Sequence, residues 1–380
     1  MRILYIGGFD LPNRNAAAQR VIANAKIFRG LGNDVDLIGL SAKGGEGVPF
    51  DFEGFKCVNL SYPKSAIDWW KFLFSFKQYL PFYKNDTQLV IAYNHPAVAL
   101  KRLLKFNKKH GIKTVSDCTE WYEPQGGILF KLIKGWDVNL RMRQVHPLLD
   151  GIITISRFLD DYYIGKGMKT LLIPPLVDKQ EQKWNDEIDK NDESIRLLYA
   201  GSPAGTKDRI DIVINALERV ASLGKKFQLD IIGITEEQYK SIYLQGEQKR
   251  LPDFVSFKGR LPHEDVIRQL RQADFQIFLR ENHLANKAGF PTKFAETISA
   301  GTIVLTNASS NLKDYMIEGV NSYELNITDE DSLFKSLLKP ISLSKNKIRE
   351  QRRKIDTEMF DYRKYIDRTC IFLNSILNDE

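Results

Sequence analysis

DFQIFLRENHLANKAGFPTKFAETISAGTIVLTN, residues Asp274–Asn307, holds two short β-favourable apolar runs, Phe275–Leu279 and Ile303–Leu305, with a helix-like segment Thr292–Ala300 between them. This is a strand, loop, helix, strand unit. Gly289, Phe290 and Pro291 lie in the loop, Thr292 is placed to cap the helix, and Gly301 stands where the helix should stop. A helix that follows a Gly-containing loop at the carboxyl end of a parallel strand turns free N–H groups and a positive dipole end toward an anion, most often a phosphate. Lys293 adds a mobile charge there. Glu296 lies one turn further in, where it either reaches past the anion to a sugar hydroxyl or stands as a solvated helix glutamate.

Outward from this unit the same alternation continues. Toward the N-terminus, strands are expected at Arg2–Ile6, Asp34–Leu40, Phe55–Leu60, Gln88–Tyr93, Lys113–Asp117, Gly151–Ile155 and Thr170–Ile173. Helices are expected at about Asn15–Arg29, Ala97–Lys109 and Ile128–Leu149. A second series starts at Ile195 and includes Phe227–Gly233 and Phe254–Gly259. Such alternation predicts α/β architecture with parallel, doubly wound sheets. The Gly7-Gly8 turn after the first strand lacks GxGxxG spacing, which removes the main support for a dinucleotide-binding dehydrogenase.

At 380 residues the chain suits two domains, and hydrophobic and charged fractions of 43% and 27% are those of a globular protein. Cys57, Cys118 and Cys370 lie far apart, without metal-ligand spacing, and predict a reduced cytoplasmic chain with no metal requirement. The N-terminus runs straight into a strand without a signal-peptide pattern, and no apolar run reaches the ~18 residues needed to span a bilayer. Residues 1–177 carry 24 Lys and Arg against 15 Asp and Glu, whereas the remainder carries 31 against 33. This basic half suits a phosphorylated substrate or an anionic membrane; no motif points to nucleic acid. The segment Ile67–Tyr83 interleaves Trp69, Trp70, Phe72, Phe74, Phe76 and Tyr79 with Lys71 and Lys77, as a membrane-interface helix or as one packed on the sheet.

Beyond the organising unit, KTVSDCTEWYEP (Lys113–Pro124) leaves a strand with Asp117, Glu120 and Glu123 close together, where open α/β sheets place their chemistry. Asp117 and Glu120 are the candidates to orient an acceptor hydroxyl or take its proton. IRLLYAGSPAGTKDRIDIVINAL again reads strand, Gly turn, helix, and offers Gly201, Ser202, Lys207 and Arg209. Arg280 ends the strand before the organising loop.

GFPTKFAETISAGTIV resembles the donor-binding segment of GT-B glycosyltransferases, most closely the retaining, family-4-like enzymes of bacterial polysaccharide assembly. Their pattern is a Glu, seven residues, then Glu-Ala-x-x-x-Gly-x-Pro-Val-Ile. Glu296 matches the second Glu, which in the family binds the nucleotide ribose, and Gly301 matches the Gly. Ala288 stands in place of the first Glu, which in the family lies near the donor sugar; a subset of related enzymes shares the Pro-Thr-Lys variant seen here. AGSPAGTKD is similar to the family's donor motif "GRxxxxKG": Lys207 matches the lysine that neutralises the diphosphate, and Ser202 replaces the usual Arg, for which Arg209 or Lys293 could substitute. IPPLVD, Ile173–Asp178, is similar to the interdomain linker. Ser116 stands where many relatives hold a His, so that imidazole is missing.

The resemblance covers nearly the whole chain and implies two Rossmann-like domains facing across a cleft. It places an acceptor-side domain at 1–177, with a C-terminal helix of about 360–380 packing back on it, and a nucleotide-sugar-binding domain at 178–359. Gly7 and Gly8 would lie against the donor phosphate. The implied activity is transfer of a hexose-type unit from a nucleoside diphosphate sugar (UDP- or GDP-sugar) to a saccharide or polyprenyl-diphosphate-linked acceptor, with retention, at the inner face of the membrane. Catalysis would use Asp117, Glu120 and Lys207, with no permanently bound cofactor. A sugar-nucleotide 2-epimerase of the same fold and an inactive sugar-nucleotide binder are the alternatives.

Overall fold

The computed structural model of the chain describes residues 1–12, 15–42, 46–122, 127–185, 194–201, 208–244 and 250–378. The chain divides into two compact units. One comprises Met1–Leu176, Lys287–Phe290 and Tyr362–Glu380, and the other Val177–Asn286 and Pro291–Asp361.

The first unit is built on eight strands: β1 (Arg2–Gly7), β2 (Asp34–Ser41), β3 (Glu46–Phe52), β4 (Phe55–Ser61), β5 (Thr87–Tyr93), β6 (Lys113–Cys118), β7 (Gly151–Thr154) and β8 (Thr170–Leu172). They lie in the order β3-β4-β2-β1-β5-β6-β7-β8, and every pair is parallel except β3 with β4. The central strands are apolar on both faces because helices cover both, and Ile3–Ile6 and Leu89–Ala92 are almost wholly buried. β3 went unread in the sequence. Its run EGVPFDF carries Pro49 and two acidic residues, a composition that only an edge strand tolerates.

Helices α1 (Ala16–Gly30), α2 (Ala66–Phe74), α3 (Ala97–Lys109), α4 (Ile128–Leu140) and α5 (Arg157–Ile164) belong to this unit. Asn15 caps α1 by accepting from the Ala18 N–H at 2.8 Å. The expected helix Ile128–Leu149 ends as α-helix at Leu140. It continues as a wide turn over Arg141–Val145 and a tight one over His146–Leu148, where Pro147 has no N–H to give. The aromatic stretch is split by the fold. Tyr79 joins the core with Leu4, Val90 and Leu103, whereas on α2 Trp70 and Ile67 are 66% and 67% exposed.

The second unit holds β9 (Ile195–Ala200), β10 (Phe227–Ile232), β11 (Val255–Gly259), β12 (Phe275–Ile277), β13 (Ile303–Thr306) and β14 (Ser322–Glu324). Around them lie α6 (Ile210–Ser222), α7 (Glu236–Tyr239), α8 (His263–Gln272), the start of α9 (Leu284–Ala288), α10 (Thr292–Ser299), α11 (Glu330–Ile341) and α12 (Lys345–Arg353). α13 (Ile366–Leu377) returns to the first unit, where Phe372 and Ile376 pack over Gly151. The six strands are all parallel in the order β11-β10-β9-β12-β13-β14. Consecutive strands build outward from β9 in one direction and then, from β12, in the other. The direction of winding therefore reverses between β9 and β12.

Candidate functional site

In an open parallel sheet the reversal of winding opens a crevice at the carboxyl ends of the two diverging strands. In the second unit β9 delivers Tyr199 and Gly201 to that place, the chain beyond β12 delivers Phe278 and Arg280, and α10 delivers Lys293 in its first turn. Lys293 Nζ donates to Asp208 Oδ2 at 2.7 Å and lies 4.6 and 5.3 Å from the ring centres of Tyr199 and Phe278. A Cβ on Gly201 would meet this ammonium at 2.6 Å, so the missing side chain is what admits the lysine.

Asp208 is 3% exposed. Its Oδ2 also accepts the Tyr199 hydroxyl at 2.8 Å, while Oδ1 has no hydrogen-bond partner and stands 3.8 Å from Arg280 Nε. Arg280 is itself buried, and its Nε is likewise without a hydrogen bond. Burial pushes the Asp208 carboxyl up, but Lys293 and Arg280 outweigh it and hold the group below its ordinary range. Burial draws Arg280 down, yet a guanidinium stays charged at any ordinary pH. Among the described residues, Lys293 and Arg280 thus share the Asp208 carboxylate.

The N-terminus of α10 opens beside them. Thr292 is not its cap: Pro291, held at φ −71° and ψ 108°, takes that position and offers no side-chain acceptor, and Thr292 becomes the first helical residue. Gly301 ends the helix with φ +68°. One turn inside, Glu296 Oε1 is 2.9 Å from His263 Nε2, at the start of α8. Arg209, the candidate to replace a phosphate-binding Arg, is paired with Asp211 and Glu281, each at 2.9 Å, and these bonds raise its pKa. Gly289 and Phe290 fall in the short segment that clusters with the first unit. Ser202 and Lys207 lie outside the described residues.

Sequence reasoning thus named Gly201, Arg280 and Lys293, which the fold brings together, and missed Asp208, Tyr199 and His263. Asp208 carried a signal, an acidic residue directly after the diphosphate-lysine candidate. Tyr199 looked like one more apolar strand residue.

In the first unit Asp117 ends β6 fully buried. Arg20 grips it with Nε and Nη2 at 2.8 to 3.0 Å, Tyr5 donates its hydroxyl at 2.5 Å, and Asn24 donates at 3.3 Å. Arg20 also donates to the Ile173 carbonyl at 2.8 Å. Burial and the Asp117 charge push the Tyr5 phenol well above its ordinary value, and for Arg20 the carboxylate overcomes burial and raises the pKa. With both oxygens committed, Asp117 is the anchor of a buried ion pair, whereas the sequence expected it to orient an acceptor hydroxyl or take its proton. Glu120 is exposed beyond the strand end, and Glu123 lies outside the described residues.

Gly7 closes β1 with φ +147°, and a Cβ there would strike the Tyr93 carbonyl oxygen at 2.5 Å. Gly8 has nothing within 4 Å. Beside Ser116, where the expected imidazole is absent from the strand, a different histidine appears: His146 Nε2 stands 3.1 Å from its Oγ, buried and bonded to Tyr163. Among the described residues no group of three or more His, Cys, Asp or Glu could hold a metal ion, and no helix is long and apolar enough to cross a membrane.

The two doubly wound α/β units give the chain the GT-B fold of the solved structures it resembles. The family model of the glycosyl transferases group 1 matches residues 180–358. Among solved structures, Anabaena Alr3699/HepE in complex with UDP and glucose is similar at TM-score 0.66 and 14% identity, over 99% of this chain and 100% of that one. Sucrose-phosphate synthase from Thermosynechococcus elongatus gives 0.66 and 14%, over 99% and 98%. The lipopolysaccharide outer core galactosyltransferase WaaB, in its apo form, gives 0.64 and 16%, over 99% of each chain. A comparison with curated proteins finds no match.

Proposed function

We propose that this chain transfers a sugar from a nucleoside diphosphate sugar, UDP- or GDP-linked, to a hydroxyl of a saccharide or polyprenyl-diphosphate-linked acceptor, with retention, in the assembly of a bacterial surface polysaccharide. The observation that carries the reading is the convergence of the Lys293 and Arg280 cations on buried Asp208 at the start of α10. Among the described residues both pair with the Asp208 carboxylate. A diphosphate is an anion that suits these cations. Similarity in fold to a protein solved with UDP and glucose, and to a galactosyltransferase of lipopolysaccharide, supports the choice of donor and setting.

In the reaction the bond from the anomeric carbon to the diphosphate oxygen breaks and a bond to the acceptor oxygen forms, while the acceptor hydroxyl gives up its proton. Negative charge grows on the leaving oxygen. Lys293, Arg280, the first N–H groups of α10 and Lys207 stabilise that charge. Glu296, steadied by His263, accepts hydrogen bonds from the ribose hydroxyls. On the acceptor side Glu120 orients the hydroxyl, and Asp117 contributes by fixing Arg20. The exposed Trp69, Trp70 and Lys71 of α2 rest on the inner, anionic face of a membrane and bring the enzyme to its lipid-linked acceptor.

A thermal-shift screen over UDP-, GDP-, ADP- and CDP-sugars tests the donor side, since a ligand at 100 times its Kd stabilises the fold by ~2.7 kcal/mol. No shift with any of them removes the donor reading. Release of nucleoside diphosphate only after acceptor is added marks a transferase, whereas isomerisation of the sugar without acceptor marks a 2-epimerase.

A further inference from the structure

We infer that Asp208 is a resident counter-ion of the anion cradle: it holds Lys293 and Arg280 while the cradle is empty and competes with the donor diphosphate for them, limiting how tightly that diphosphate is held. The inference rests on the diphosphate reading of the cradle.

Asp208 cannot be an ordinary surface partner for Lys293, because it is 3% exposed and joined to the cradle by three separate groups. Its Oδ2 accepts from Lys293 and from the Tyr199 hydroxyl, and its own carbonyl accepts the Tyr243 hydroxyl at 2.9 Å. These bonds fix the carboxylate from both ends. Lys293, by contrast, carries its charge on a flexible four-carbon stem that can turn toward a phosphate.

The carboxylate is only half used. Oδ1 has no hydrogen bond and faces Arg280 Nε at 3.8 Å, beyond hydrogen-bond reach, and that nitrogen is also unsatisfied. A buried donor and acceptor left this close but unbonded cost stability unless a third group serves them. A phosphate oxygen on the Arg280 nitrogen would serve the donor. It would also stand near Asp208 and be repelled by it. The chain thus carries a fixed negative charge beside its own phosphate site. Such a charge weakens the grip on the diphosphate, a useful property where the product carries the same diphosphate as the donor and must leave after each transfer.

The test is calorimetric binding of inorganic pyrophosphate to the wild-type chain and to Asp208→Asn, which keeps the shape and removes the charge. Binding about ten-fold tighter in D208N is expected from loss of a like charge at this range. A carboxylate that merely held the cations in place would give weaker binding on removal, so unchanged or weaker binding by folded D208N overturns the inference. Asp208→Glu, which keeps the charge, must show no tightening. If D208N does not fold, the neutral Asp208→Ser is read in the same way. Lys293→Met separates the two levels of the argument. If it weakens pyrophosphate binding while D208N fails to tighten it, only the counter-ion role falls; if the wild-type chain binds no pyrophosphate, the cradle reading falls and takes the inference with it.

Discussion

Glu296 and Asp208 are both carboxylates close to the start of α10, and their surroundings give them different work. Glu296 is partly open, with His263 on one oxygen, so a diol can reach it. Charge-assisted bonds of this kind contribute ~1.5–3 kcal/mol each. Glu296→Ala is therefore expected to weaken nucleoside diphosphate binding by about ten-fold or more, read by calorimetry. Unchanged affinity in the folded variant would remove Glu296 from the site. Asp208, closed off from solvent, also contributes to the stability of the fold. Its folded pKa lies below the ordinary 3.8, so its ion pair contributes stability above that value and loses it as pH falls through the folded pKa. The stability gap between wild type and Asp208→Asn should thus be widest near neutral pH and close below about pH 4 in denaturant titrations. A gap that persists unchanged into acid would deny Asp208 its charged role. Lys293 and Glu296 were legible because a local pattern carries them. The ion pairs of Asp208 and Arg20 were not, because the partners lie far along the chain, Lys293 at 85 positions and Asp117 at 97.

At the level of elements, apolar runs bounded by glycine and turn residues marked the central strands within a residue or two, since parallel strands buried on both faces have no other composition open to them. Edge strand β3 and the turns after α4 escaped that logic. The first is half polar, and the second is shaped by Pro147. The turn after β1 had two readings in the sequence, a tight turn or a ligand loop, and the geometry separates its two glycines. Gly7 sits in a conformation closed to other residues and against the Tyr93 backbone, while Gly8 is exposed. Gly7→Ala should cost about 2–4 kcal/mol, from positive φ and a steric overlap with a carbonyl that cannot retreat without breaking the β1–β5 pairing. Gly8→Ala should stay within about 0.5 kcal/mol. Equal stability of the two variants in urea titrations would show that the β1 turn relaxes, and would return Gly7 to the ligand-loop reading.

Over the whole molecule, charge is distributed by unit, with the basic surplus in residues 1–177. Three neighbouring helices of the first unit show how that surplus is used. α3 packs against both α2 and α4 and exposes Lys101, Lys105, Lys108 and Lys109. α2 exposes Ile67 and Trp70, and α4 exposes Ile128, Leu132 and Trp136 at 81%, 66% and 53%. Large apolar side chains left in water at that level beside a row of lysines suit an interface where the lipid boundary takes the aromatics and anionic headgroups take the cations. Each Lys or Arg near such a surface contributes ~1 kcal/mol, and salt screens it. The chain should sediment with phosphatidylglycerol-containing vesicles at low salt and be released at high salt. Replacing Trp69, Trp70 and Lys71 together should abolish sedimentation while leaving thermal stability close to wild type, because α2 contributes no buried residue. If the wild-type chain stays in the supernatant at low salt, the membrane contact is lost from the functional reading, and a soluble saccharide becomes the acceptor to test.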